Sequence, residues 1–203
     1  MTYRQQLREL ADENYGYVST RDAADLGVPA VELRKLAARG ALRQVRRGLY
    51  RFTDARRTRY DAYAEAVART GRDAYLIGDA VLALLGLAMV EPRRIKVATP
   101  HRTRPKDPGF VDVIQRALPP ELITTYEGIR ATTVAQAILD SQGTVMTERL
   151  LDALSEARRA GLVDAGEAAR VRRRLTAAQK RRNAQEAPAD ATRSTTQRIE
   201  IRA

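Results

Sequence analysis

Residues 16–52 read GYVSTRDAADLGVPAVELRKLAARGALRQVRRGLYRF, and their punctuation decides the fold. Ser19 or Thr20 can cap a short helix whose first turn carries Asp22, an acid placed where the helix dipole favours it. Ala23, Ala24 and Leu26 form the inner face of that helix, and Gly27-Val28 closes it. Pro29 sits at the first turn of a longer helix, where its missing N–H costs nothing. Gly40 ends this helix with the left-handed backbone that glycine accepts. Leu33, Leu36 and Ala37 share one side of it, while Val31, Arg34, Lys35 and Ala38 lie on the other. Leu42 and Val45 then precede a turn near Arg47-Gly48, and Leu49, Tyr50 and Phe52 follow it, as in a β-hairpin. A helix over residues 3–14, with Tyr3, Leu7, Leu10 and Ala11 in helical register, stands in front. Helix, short helix, turn, longer helix and hairpin is the order of a winged helix-turn-helix.

Charge sharpens that reading. The 203-residue chain carries a formal charge of +11, from 36 Lys+Arg against 25 Asp+Glu. Thirty-two of those cations are Arg, so part of the excess reflects composition. Its distribution is more telling. Residues 1–28 hold Arg4, Arg8 and Arg21 against Glu9, Asp12, Glu13, Asp22 and Asp25, a net −2. Residues 29–51 hold Arg34, Lys35, Arg39, Arg43, Arg46, Arg47 and Arg51 against Glu32, a net +6. An acidic scaffold with a basic helix and hairpin is what contact with DNA phosphates and base edges requires. The candidate DNA-binding set is Thr20, Arg21, Val31, Arg34, Lys35, Arg39, Arg43, Arg46, Arg47 and Arg51. The alternative is a helix-hairpin protein-interaction module whose basic face is merely solvated.

The rest of the chain reads as a mixed α/β domain ending in helices. Residues 53–59 form a polar connector, and Tyr60, Tyr63, Ala64 and Val67 form a helical stripe suited to a core. A nearly all-apolar helix over residues 79–87 should be central. Strands follow at 95–99, 110–114 and from Leu122 to Tyr126 or Ile129. Helices over residues 147–160 and 164–185 come after a helix capped by Thr132-Thr133. The last helix carries Arg170, Arg172, Arg173, Arg174, Lys180, Arg181 and Arg182 against Glu167, read first as a solvated surface. The His101–Lys106 loop is likewise basic, and residues 197–202 (QRIEIR) alternate like a docking strand. The predicted division is 1–54, 55–185 and a tail at 186–203, and the fold class is α+β.

Chemistry is bounded mainly by what is missing. With no cysteine there is no disulfide, thiol nucleophile or thiolate metal site, which fits a reducing cytoplasm. His101 is the sole histidine, and neither glycine-rich phosphate loop, HExxH nor GxSxG occurs. No catalytic residue, metal or cofactor is predicted. No apolar run suits a membrane span or signal peptide.

Residues 16–52 resemble the N-terminal winged-helix domain of AbiEi-family antitoxins from type IV toxin–antitoxin systems. RRIKVATP (93–100) and YEGIRATTVAQAILD (126–140) look like that family's C-terminal antitoxin domain, although Ala135-Gln136 depart from the Arg-containing form of the last motif. The resemblance implies a protein that represses its own operon by binding inverted repeats and neutralises a nucleotidyltransferase-like toxin. It implies a monomer in solution with two copies on DNA. By analogy, Arg34 and Lys35 would enter the major groove, with Arg46 and Arg47 on the wing. Two alternatives stay open: an atypical kinase that phosphorylates its toxin, for which no glycine loop or kinase motif speaks, and a ligand-sensing regulator without a toxin.

Overall fold

A computed structural model describes residues 2–103 and 109–186. It is a mixed α+β structure whose first element, α1 (Tyr3–Asp12), starts on a reciprocal cap between Thr2 and Gln5. β1 (Tyr17–Ser19) runs directly into α2 (Thr20–Asp25). Ser19, rather than Thr20, is the cap: its side chain accepts from the Asp22 N–H, and Asp22 accepts from the Ser19 N–H at 2.8 Å. After a turn through Gly27 (φ 70°) comes α3 (Ala30–Ala38), with Pro29 one position ahead of its first residue and Gly40 at φ 76° beyond its end. α2, the turn and α3 have the arrangement of a helix-turn-helix.

β2 (Leu42–Arg46) and β3 (Leu49–Phe52) form the hairpin. β1 pairs with the other edge of β3, giving an antiparallel sheet of order β1-β3-β2. All four residues of β3 are buried, because the sheet is covered on both faces. Strand alternation sorts them. Tyr50 and Phe52 join Leu7, Val18, Leu33 and Leu36 in one apolar cluster. Leu49 and Tyr17 point the opposite way, into the larger cluster of the remaining chain.

That larger cluster begins with α4 (Asp61–Thr70), whose Ala64 and Ala66 are buried and against which Tyr60 and Tyr63 pack half-buried. A five-stranded sheet follows, in order β6-β5-β4-β8-β7. Its strands are β4 (Tyr75–Leu76), β5 (Ile95–Thr99), β6 (Val111–Gln115), β7 (Ile123–Tyr126) and β8 (Ile129–Thr132). α5 (Asp79–Leu84) is central and almost wholly buried, but stops three residues before the expected end. α6 (Val134–Asp140) is capped by Thr133, and α7 (Thr147–Arg159) and α8 (Ala165–Glu186) complete the cluster through Leu150, Leu154, Val171 and Leu175. The strand expected from Leu122 onward is in fact the β7–β8 hairpin, turning at Glu127 and Gly128, both at positive φ. The QRIEIR segment lies outside the described residues, as does part of the His101–Lys106 loop.

Polar contacts join the first sheet to the rest of the chain. The Tyr17 hydroxyl donates to Glu65 Oε2 at 2.8 Å, and the Tyr15 hydroxyl donates to the Glu127 carbonyl. Burial raises the pKa of Tyr15, Tyr17, Tyr63, Tyr75 and Tyr126, and the Glu65 bond raises Tyr17 further. The folded chain therefore holds these phenols protonated. Their contribution to stability is complete below the unfolded-state value of about 10 and is lost as pH rises from there through the folded values. Thermal melts between pH 8 and 11 should fall above pH 10, and Tyr17→Phe should blunt the fall.

Candidate nucleic-acid interface

α3 exposes the side that the helical period predicts. Leu33 and Leu36 are buried, while Val31, Arg34, Lys35 and Arg39 are exposed. Lys35 is tied to Glu32 at 2.8 Å across one turn, so part of its charge is already answered. An exposed pair of this kind contributes only about 0.3–0.5 kcal/mol, and a phosphate can displace it. Arg34 and Arg39 have no ion pair among the described residues.

The hairpin turn is pinned to the helix-turn-helix. The Thr20 N–H donates to the Gly48 carbonyl at 2.9 Å, and a Cβ on Gly48 would lie 3.1 Å from Thr20 Oγ1. Thr20 is therefore half-buried against the hairpin, with its backbone donor spent there. Gly48 has φ 78°, so Gly48→Ala meets both backbone strain and this contact. It should destabilise the fold by roughly 1–2 kcal/mol or more. Gly40→Ala, at φ 76° in open space, carries the backbone cost alone. Urea denaturation of the two variants measures the difference.

The remaining cations divide by geometry. Arg21 and Arg47 are exposed and without an ion pair among the described residues. Arg46 is exposed, but its guanidinium donates to the Arg69 carbonyl in the last turn of α4. Arg43 stands opposite Arg51 in the β2–β3 register. It is exposed on the sheet face turned to α4, beside a cleft of about 250 Å³ that Arg57, Asp61 and Glu65 also line.

Arg51 has to be removed from the DNA-contacting set. It is 5% exposed, and its guanidinium donates to Asp61 Oδ2 at 2.6 Å and to the carbonyls of Tyr15 and Arg56. It also lies over the Tyr17 ring, 5.5 Å from the centroid. Alternation along β3 puts it on the Leu49 side, inside the seam, where no phosphate can reach. Asp61 was the residue to look for, since a buried cation in a strand needs an acid nearby. In the sequence, though, Asp61 sits beyond the connector.

Three of the five scaffold acids are spent, while Glu9 and Glu13 make no ion pair among the described residues. Asp12 pairs with Arg8 at 2.8 Å, Asp22 closes the α2 cap, and Asp25 pairs with Arg72 at 2.7 Å. Arg21, Arg34, Arg39 and Arg47 form an exposed group within one small helix-hairpin unit and make no ion pair among the described residues; Arg4 and Arg43 make none either. Elsewhere, Arg116 pairs with Asp140 and Lys96 with Asp79. Among the described residues no cluster of three His, Asp or Glu could hold a metal, and no helix is long and apolar enough to cross a membrane. α8 keeps most of its cations exposed, with Arg172 donating to Ser155 Oγ at 3.3 Å.

Residues 5–53 match a family model described as a transcriptional regulator, AbiEi antitoxin. No curated protein matches the chain. The matched segment runs from inside α1 to just beyond β3 and contains Arg21, Arg34, Arg39 and Arg47. Over that segment the chain is similar to the AbiEi antitoxin family of transcriptional regulators.

Proposed function

We propose that the chain is a type IV antitoxin that represses its own operon and neutralises a nucleotidyltransferase-like toxin in the cytoplasm. Residues 1–54 serve as a winged helix-turn-helix: α3 enters the major groove, and the β2–β3 hairpin lies on the adjacent backbone as the wing. Two copies, monomeric in solution, occupy the halves of an inverted repeat. Residues 55–185 engage the toxin, and the 186–203 tail is an accessory segment. The observation that carries this reading is the exposed, unpaired group Arg21, Arg34, Arg39 and Arg47 on a helix-hairpin unit where Asp12 and Asp25 are paired and Asp22 is used in a cap.

Fluorescence anisotropy with duplex DNA from immediately upstream of the gene tests the first half. Saturable binding that weakens steeply with salt supports it, and binding no tighter than to unrelated duplex removes it. Co-expression with the product of the neighbouring gene tests the second. Growth rescue together with co-purification is expected, while a toxic neighbour left unrestrained would sink the antitoxin assignment.

A further inference from the structure

A cleft of about 480 Å³ opens in the seam between the first sheet and the α4–β8 region. That volume lies in the range of small-molecule sites, roughly 300–1,000 Å³, which favour boundaries between packed units. Its apolar lining includes Leu10, Leu49, Val67 and Ile129, beside the polar Asn14 and Ser19. Three arginines, Arg21, Arg72 and Arg130, line it as well. Asp22 lines the cleft too, with its Oδ2 accepting from the Ser19 N–H, and Asp25 is paired with Arg72. Arg130 donates one bond to the Arg72 carbonyl at 3.1 Å and has no ion pair among the described residues. Arg21 has none either.

We infer that this cleft binds a small amphipathic anion, a carboxylate or sulfonate on an apolar body. The body would lie against Leu10, Leu49, Val67 and Ile129, and the headgroup would be met by Arg21 and Arg130. A neutral apolar molecule would leave two guanidinium groups unanswered, and a highly charged one would lose its own hydration against apolar walls without return. A single anionic group on an apolar body satisfies both requirements.

The probe is 8-anilinonaphthalene-1-sulfonate, an aromatic anion whose emission rises in apolar surroundings. N-phenyl-1-naphthylamine, the same ring system without the sulfonate, is its neutral counterpart. The full chain should bind one molecule of the anion saturably. Ala68→Trp, which places an indole in the cleft, should abolish that binding while circular dichroism reports an unchanged fold. Arg130→Ala should weaken the anion about tenfold, the scale of one charged hydrogen bond, and leave the neutral probe unaffected. If Ala68→Trp does not fold, the Arg130→Ala comparison decides. Anion binding that persists in folded Ala68→Trp, or an Arg130→Ala variant that holds the anion as tightly, overturns the inference. No DNA is present in this test, so its failure leaves the DNA-binding reading untouched.

Discussion

Arg51→Ala should cost about 3–5 kcal/mol of folding stability, the scale for breaking a buried ion pair from one side. The expected loss comes from the groups left behind. Asp61 Oδ2 keeps no comparable donor, and the Tyr15 and Arg56 carbonyls lose theirs. Asp61 Oδ1 still accepts from the Thr58 N–H and hydroxyl, so the carboxylate stays fixed in place with half its charge unanswered. Removing both partners, as in Arg51→Met with Asp61→Leu, should recover much of the loss, because two apolar groups of similar size leave no orphaned charge. Urea denaturation gives the energies. Measured where the variant is still folded, its DNA affinity should keep the parental salt slope. A slope lower by about 0.9 would make Arg51 a phosphate contact and overturn its placement in the seam.

The second large effect belongs to the unpaired face. Arg34→Ala, Arg39→Ala and Arg47→Ala combined should weaken binding to upstream DNA on the order of a hundredfold at low salt. The slope of log affinity against log salt should flatten by about 0.9 for each phosphate contact removed. Folding should be nearly untouched, because none of the three makes an ion pair among the described residues. The comparison variant removes as much charge from α8, at Arg170, Arg173 and Arg174, all exposed. It should leave the affinity within about twofold, since α8 packs on α6 and α7 and an exposed charge that makes no direct phosphate contact is strongly screened by salt. Equal losses in the two variants would mean that overall charge, and not the α3 and hairpin face, holds the DNA.

The helix-hairpin unit could be read in advance because its signals are local. Pro29 and Gly40 bracket α3, Leu33 and Leu36 give its buried side, and Ser19 with Asp22 closes the α2 cap. The hairpin at 123–132 could not, because its turn needs positive φ at both central residues and the first is Glu127. Asparagine or aspartate would have announced it. β4 is only two residues long and has no period to detect. At the candidate interface the cations themselves were visible, but not which were already spent. Arg51 and Asp61 meet across a connector, and Arg46 reaches a helix carbonyl in α4, so both depend on tertiary placement. Charge counts cannot tell a cation facing water from one facing a carboxylate.

The double-sided first sheet also fixes where this protein can be cut and rejoined. A recombination that took residues 1–54 alone would carry away Tyr17, Leu49 and Arg51 and leave Glu65, the α4 apolar face and Asp61 behind. The transplanted unit would present an unmatched buried cation and a bare apolar strip to water. A crossover after Thr70 would take α4 along and keep each of those partners. The smallest segment that can be exchanged between regulators of this build is thus longer than the helix-hairpin unit, by the connector and one helix.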